Sequence, residues 1–413
     1  MYKYRAMLPS LKIVKRGLRL TTEALAAELA RDQPTGATPA WSELEWQLAS
    51  AVAVAHGVSP LLSQSSKWQN PEWKRFLADQ RTHVEHRHQR IAALLERIDH
   101  NARAVDLAIV PLKGAALHSL GIYQPGERPM ADIDLLVCED DVEPSIRLLI
   151  ELGYEESFVV WKHRVFKPAK GEPIFGLGEH RDTPINIELH TRIQERLPVK
   201  AVDITQQIFP QPPQAGLNPY PSDGALMSHL LLHAAGNICH RSLRLLHLND
   251  LARLSARLSP SDWDALLDAH AAEGAWWALP PLRLVERYYA GAIPPFVLAR
   301  LESRCHPLLK LVSKRQTLTQ VSCSELWHHT LQGVEWLRSL REFKHYIGNR
   351  VRPPEEARKE YADMVRTQLW LQQKSWVTLS RGRRLLALLT RPLPRMDTLY
   401  VVRAALDASS ASV

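Results

Sequence analysis

Two aspartates, two residues apart, are the residues of this sequence best suited to carry out chemistry. Asp132 and Asp134 lie in the segment ADIDLLV, in which apolar and polar residues alternate as they do in a β-strand. Because the side chains of a strand alternate between its two faces, both carboxylates point to the same face. Carboxylates on residues about 6–7 Å apart repel each other unless a cation lies between them. The pattern therefore favours a hard divalent ion such as Mg²⁺.

A second segment, INIELH, repeats this alternation. Its apolar residues are expected to face the core, while Asn186, Glu188 and His190 share the opposite face. If the two strands are neighbours, Asp132, Asp134 and Glu188 form a three-carboxylate cluster that can hold two metal ions. Such a cluster suits an in-line phosphoryl displacement, with His190 orienting the acceptor or supporting Glu188. An Asp-X-Asp motif alone is weak evidence, since aspartate pairs are also common at exposed strand ends.

Composition places the chain among globular proteins. It has 413 residues, of which 45% are hydrophobic and 23% are charged, and no apolar run approaches the ~18 residues that span a bilayer. The N-terminal segment is basic but lacks the continuous apolar stretch of a secretory signal peptide, so we expect a cytoplasmic protein. Its cysteines lie far apart without a CxxC pair, which argues against a disulfide framework or a zinc knuckle. They are Cys138, Cys239, Cys305 and Cys323.

The elements that must position the carboxylates change in period along the chain. Helical spacing predominates from about residue 21 to 101. Two strands are predicted next, one in AVDLAIVPLKG, which ends at Gly114, and one in MADIDLLVCE. EPSIRLLIELGY returns to helical spacing, and FVVWKHRVFK and PINIELHT indicate further strands. The predicted fold is α+β, a small α/β core with a mixed sheet between helical regions. The predicted domains are an N-terminal helical region (1–104), the core (105–210), a helical domain (211–295) and a basic helical C-terminal region (296–413).

The core segment also resembles a known family. LKGAALHSLGIYQPGERPMADIDLLVCEDDVEPSIRLLIELGYE is similar to the catalytic segment of the uncharacterised nucleotidyltransferase family, within the DNA polymerase β-like nucleotidyltransferase superfamily. The shared features are LKG, an arginine in GERPM, DIDLLV and a helix that closes at LGY. LLLHAAGNICHRSLRLLHLNDLARL resembles the helical segment of that family. The resemblance covers roughly residues 105 to 255.

The resemblance implies an activity and a set of site residues. The activity is Mg²⁺-dependent transfer of a nucleoside monophosphate from an NTP, ATP by default, to an acceptor, with release of pyrophosphate. Gly114 would form the turn that approaches the triphosphate, Asp132 and Asp134 would bind the metals, and Glu188 would be the third acid. The acceptor would be a small molecule, a saccharide or a peptide, in bacterial accessory biosynthesis.

Two features depart from the superfamily pattern near the expected phosphate site. Ala115 follows Gly114 where a serine hydroxyl is usual, and the interval from Gly114 to the aspartate pair is longer than usual. Lys113 can supply the missing contact as a point charge, and Arg128 can clamp phosphate oxygens with two nitrogen atoms. The alternatives are a solvated lysine at a strand end for Lys113 and a salt bridge within its own acidic loop for Arg128.

Three further polar residues have mainly structural interpretations. His229 and His233 have the i,i+4 spacing of a helical zinc pair, but no third ligand is arranged around them as in a metalloprotease motif. We therefore predict packing and capping roles for them. Asp250 is expected to pair with Arg244 or Arg253, with contact to the nucleotide as the alternative.

Charge is distributed unevenly, and this bears on partners. The net charge is +8, yet residues 113–188 carry 8 Lys/Arg against 14 Asp/Glu, while residues 300–403 carry 20 against 9. The basic segment suits an anionic partner, although a solvated helical surface is the simpler interpretation. Two alternatives to small-molecule transfer remain. One is an RNA-directed nucleotidyltransferase, and the other is a non-catalytic binding or scaffold protein with a vestigial acidic cluster.

The RNA alternative is directly testable. Acidic residues interrupt the basic segment, so we expect no binding of single-stranded RNA at ~50 mM salt, measured by fluorescence anisotropy with the whole chain. Tight binding that falls steeply as salt rises would overturn this expectation, because neutralising several phosphates releases counterions.

Overall fold

The computed structural model describes most of the chain. The described residues are 9–30, 37–159, 162–171, 174, 176–198, 200–269, 274–322, 333–351, 355 and 396–410. They form an α+β fold, a mixed sheet surrounded by helices, as the sequence predicts. None of the described helices is long and apolar enough to cross a membrane.

Helices precede the sheet, as the helical spacing indicates. Ser42 caps the second of them by accepting a hydrogen bond from the backbone N–H of Glu45, whose carboxylate bonds back to Ser42. The fourth helix is long, and its buried side chains follow the helical period along one face. The four helices are α1 (Leu11–Ala30), α2 (Glu43–Ala55), α3 (Ser59–Ser65) and α4 (Pro71–Ala104).

The next segment alternates strands and helices and builds the sheet. Its strands are β1 (Ala108–Pro111), β2 (Asp132–Leu136), β3 (Tyr154–Val159), β4 (His163–Pro168), β5 (Asn186–His190), β6 (Gln194–Arg196), β7 (Ala201–Asp203) and β8 (Gly216–Leu217). Its helices are α5 (Lys113–Ser119), α6 (Val142–Glu151) and α7 (Thr205–Ile208). Six strands form one sheet in the order β3-β4-β5-β2-β1-β8, and β6 pairs with β7.

The two acid-bearing strands lie side by side at the centre of this sheet. β2 and β5 are parallel, with Asp132 opposite Asn186 and Asp134 opposite Glu188. This confirms that ADIDLLV and INIELH are adjacent strands. β4 pairs antiparallel with the other edge of β5 and places His163 opposite His190.

Two strand boundaries differ from the sequence prediction. β1 ends at Pro111, and the predicted strand up to Gly114 is wrong because a short helix begins at Lys113. Lys113 has a φ of +47°, a left-handed conformation that turns the chain out of the strand. FVVWKHRVFK does not form one strand either, since β3 and β4 within it pair antiparallel with each other.

Helices follow the sheet. They are α8 (Asp223–His240), α9 (Leu245–Ser255), α10 (Pro260–Ala269), α11 (Leu279–Tyr288), α12 (Pro295–Arg304), α13 (Pro307–Arg315), α14 (Leu318–Val321), α15 (Leu340–Val351) and α16 (Met396–Ser410). The segment AGAIPP, with its glycine and prolines, separates α11 from α12. Much of the basic C-terminal segment, including Cys323, Trp370 and Trp376, lies outside the described residues.

Arg87 of α4 holds the beginnings of both acid-bearing strands. Its side chain is 2% exposed, and its guanidinium donates to the backbone carbonyls of Met130, Ala131 and Thr183 at 3.0, 3.3 and 2.7 Å. Its Nε lies 3.1 Å from a Glu179 carboxylate oxygen. Met130 and Ala131 directly precede β2, and Thr183 lies shortly before β5. One buried cation thus fixes where the two strands start.

Replacing Arg87 should therefore destabilise the protein strongly. Arg87→Ala leaves three carbonyls without this donor and the Glu179 carboxylate without its ion pair, and we expect a loss of about 3–5 kcal/mol in the free energy of unfolding. Arg97→Ala is the matched control, an exposed arginine of the same helix, and should change it by no more than about 0.5 kcal/mol. Urea denaturation of both variants measures the difference, and equal stabilities would contradict the role given to Arg87.

Candidate active site

The predicted carboxylates meet on one face of the sheet. The parallel register sets Asp134 beside Glu188, and Asp132 lies two residues before Asp134 on the same face. The Asp134 side chain is 10% exposed and that of Glu188 is 22% exposed. The cluster is thus largely enclosed by protein and still open to a ligand.

Lys113 and His190 balance the charge of Asp134. Lys113 Nζ lies 2.9 Å and His190 Nε2 lies 3.0 Å from the same oxygen, Oδ1 of Asp134. Burial alone would raise the pKa of Asp134, but the Lys113 charge and the His190 hydrogen bond hold it well below its usual range. Burial would lower the pKa of Lys113, yet Asp134 and Glu188 raise it. Both groups therefore stay ionised at neutral pH.

Asp132 lacks such a partner. Among the residues that the structure describes, none donates a hydrogen bond to its carboxylate. Burial raises the pKa of Asp132, and the charges of Asp134 and Glu188 raise it further. A partly buried carboxylate that faces two other carboxylates needs a cation, and oxygen ligands of this kind suit Mg²⁺. The chemical type of these donors is thus the one that the predicted Mg²⁺ ions prefer.

The backbone at Lys113 is held in place by the helical region. Its N–H donates to the Tyr220 hydroxyl at 3.3 Å, and that hydroxyl is hydrogen-bonded to Nδ1 of His229 at 2.7 Å. The left-handed φ of Lys113 is uncommon for a lysine and is maintained only where the surroundings impose it. The structure thus fixes Lys113 beside Asp134 and gives His229 a structural contact.

Arg128 has a partner other than those predicted. Its Nε and Nη2 donate to the two oxygens of Asp250 at 2.9 and 2.8 Å, and the Tyr123 hydroxyl donates to the same carboxylate at 2.6 Å. The expected pairing of Asp250 with Arg244 or Arg253 is wrong, as is a salt bridge of Arg128 within its own loop. The pair joins α9 to the loop before β2, and that long-range contact has no signature in local sequence.

Gly114 is buried because side chains pack directly against it. A Cβ atom at this position would lie 2.3 Å from Arg128 Nη1 and 2.7 Å from Met130 Sδ. Both neighbours lie in the segment that leads into β2. Gly114 thus permits a close approach between α5 and this segment, in addition to any contact with a phosphate.

His163 of β4 belongs to the site and is missed by the sequence analysis. Its Nε2 lies 3.4 Å from Oε2 of Glu188, and its ring is 4.8 Å from that of His190 between centroids. Burial lowers the pKa of His163 to about 4, so the ring is neutral at neutral pH. The available signal was its place in a predicted strand, but only the pairing of β4 with β5 shows which residues it faces.

A small cavity of about 140 Å³ opens beside Glu188. His163 and His190 lie on one side, and His229, His233 and Glu195 also line it. His233 Nδ1 lies 3.5 Å from Glu195 Oε1, and Lys162 pairs with the other oxygen of Glu195 at 2.5 Å. The charges of this wall are therefore largely paired with one another.

The acid-bearing strands lie inside a region that matches a known protein family. The model of a family described as uncharacterised nucleotidyltransferase matches residues 42–285, more than half of the chain. The matched range contains the whole six-stranded sheet and the helices that contact the site. No curated protein matches the chain.

The packing around Gly114 can be tested by adding one methyl group. Replacing glycine by alanine within a helix normally stabilises the helix. Gly114→Ala should nevertheless lower the free energy of unfolding by about 1–3 kcal/mol, because Arg128 and Met130 must move to make room for the methyl group. Gly176→Ala is the control, since an added Cβ there meets open space. Thermal or urea unfolding compares them. A Gly114 variant as stable as the control would show that the neighbours yield freely.

Proposed function

The chain belongs to the uncharacterised nucleotidyltransferase family, and from this we propose that it transfers a nucleoside monophosphate from an NTP to an acceptor, releasing pyrophosphate with the help of Mg²⁺. The observation that carries the proposal is the parallel register of β2 and β5. It brings Asp132, Asp134 and Glu188 to one largely enclosed face. A partly buried carboxylate that receives no hydrogen bond from any described residue, such as that of Asp132, suits a metal ligand.

The three carboxylates would hold the metal ions. Asp132 and Asp134 are the proposed shared ligands, and Glu188 either completes the metal site or accepts the proton of the acceptor. When bound, Mg²⁺ neutralises charge on the phosphates and stabilises the attacking and leaving oxygens. His190, hydrogen-bonded to Asp134, orients that carboxylate and lies beside Glu188.

Cationic groups near the turn would bind the triphosphate. Lys113 Nζ lies at the edge of the carboxylate cluster, so its charge acts on a phosphate held there by the metal ions. Gly114 lets the chain approach closely at this point. Arg128 donates from Nε and Nη2 to Asp250 and from Nη1 to the Pro129 carbonyl, so in this proposal it serves a phosphate through its charge and its remaining N–H groups.

ATP is the default nucleotide, and the acceptor class is a small molecule, a saccharide or a peptide. An RNA acceptor would require a stripe of lysine, arginine and aromatic side chains that leads to the carboxylates, whereas acidic residues interrupt the basic segment of this sequence. The proposal therefore favours a small acceptor over nucleic acid.

Asp132 offers the cleanest test of the catalytic role. Asp132→Ala removes a carboxylate that two neighbours repel, so stability should stay level or rise, while pyrophosphate release should fall at least about 100-fold. Asp140→Ala, which removes an exposed carboxylate beyond β2, should keep full activity. A coupled pyrophosphate assay and a thermal melt measure both properties. Unchanged turnover in Asp132→Ala would refute the assignment.

Calorimetry separates an enzyme from a non-catalytic relative. We expect the wild-type chain to bind Mg²⁺ together with an NTP, and Asp132→Ala to bind this pair more weakly, because the carboxylate would be a metal ligand. A wild-type chain that binds neither would favour the non-catalytic binding protein.

A further inference from the structure

Two histidines beside the carboxylate cluster, together with Glu188 of that cluster, form a group of a different chemical type. His163, Glu188 and His190 each offer one ligand atom, and these atoms all lie within 4.8 Å of one another. The Nε2 atoms of His163 and His190 lie 3.4 and 3.6 Å from one oxygen, Oε2 of Glu188. The group comes from two paired strands, so the sheet itself holds it in place.

The spacing matches that of metal ligands. Ligand atoms about 2.0–2.1 Å from a tetrahedral Zn²⁺ lie roughly 3.4 Å apart, close to the two short distances here. Two imidazoles and one carboxylate are also the ligand set of catalytic zinc sites, which keep a fourth position open. In this protein, the three residues line the 140 Å³ cavity, so that position is available to a ligand.

The ligand types distinguish this group from the proposed Mg²⁺ site. Imidazole nitrogen binds Zn²⁺ and Co²⁺ well, whereas Mg²⁺ prefers oxygen ligands. Both histidines approach Oε2 of Glu188, so Oε1 is not used by them. Glu188 can thus bridge two neighbouring cations, as carboxylates do in two-metal sites.

We propose that His163, Glu188 and His190 form a binding site for a divalent cation of the zinc class, which shares Glu188 with the carboxylate cluster and is open to the cavity. His190 Nε2 also faces Asp134 Oδ1 at 3.0 Å, so the cation replaces this hydrogen bond and displaces any proton on that nitrogen. The site goes beyond the proposed function, since it binds its cation whether or not the protein transfers nucleotides.

Co²⁺ is a suitable probe because its visible absorption reports coordination. The purified full-length protein, stripped with a chelator, is titrated with Co²⁺ in excess Mg²⁺, and Zn²⁺ is then added as a competitor. We expect one Co²⁺ per chain in this site, with an absorption typical of four or five ligands, and displacement by Zn²⁺. His163→Ala and His190→Ala should each weaken binding at least about tenfold.

Two control variants locate the binding. The His180 ring lies 4.7 Å from that of His83 between centroids, and its Nδ1 lies 3.7 Å from an Asp182 oxygen. This histidine pair with a carboxylate lies outside the cluster, and His180→Ala should retain the affinity. Asp132→Ala should retain it too while losing pyrophosphate release, which separates this proposal from the proposed function. Thermal melts show that each variant is folded.

Two results would overturn the proposal. One is a wild-type protein without the Co²⁺ absorption, and the other is a folded His163→Ala variant that binds Co²⁺ as tightly as the wild type. Failure of nucleotide transfer alone would leave the proposed cation site standing, and loss of Co²⁺ binding alone would leave the Mg²⁺-dependent activity standing.

Discussion

The buried guanidinium of Arg87 is the contact on which the geometry of the site depends. It crosses from α4 to the last two residues before β2 and to the segment before β5, and it bonds to backbone carbonyls in both. Backbone contacts of this kind fix the position of a strand whatever its side chains are. Contacts from the long helix α4, in addition to the pairing of the strands, therefore stabilise the register that sets Asp134 beside Glu188.

Electrostatic balance within the site follows from that register. Three carboxylates on one face would be unstable together without compensation. Lys113 and His190 compensate one of them, Asp134, whereas Asp132 has no described donor. The local surplus of negative charge attracts cations. The neighbouring histidines add nitrogen ligands, which suit cations such as Zn²⁺ and Co²⁺.

The helical region after the sheet also contributes to the position of the site. Asp250 of α9 holds Arg128, and Arg128 packs against Gly114, so the loop before β2 and the turn after β1 are fixed by one buried ion pair. Tyr220 fixes the backbone of Lys113 from a segment just before α8. Both contacts join the core to residues more than 90 positions further along the chain. The family match, which extends from α2 into α11, includes these partners.

Local sequence determined the residue types of the site and the elements that carry them. Alternation with period two placed Asp132 and Asp134 on one face of a strand, and did the same for Glu188 and His190, because side-chain direction in a strand is a local property. The boundary at Lys113 was missed, since its left-handed backbone depends on a distant hydroxyl. The partner of Arg128, the place of His163 and the role of Arg87 were decided only by the tertiary structure. Each depends on contacts between residues far apart in sequence, and local periodicity carries no information about such contacts.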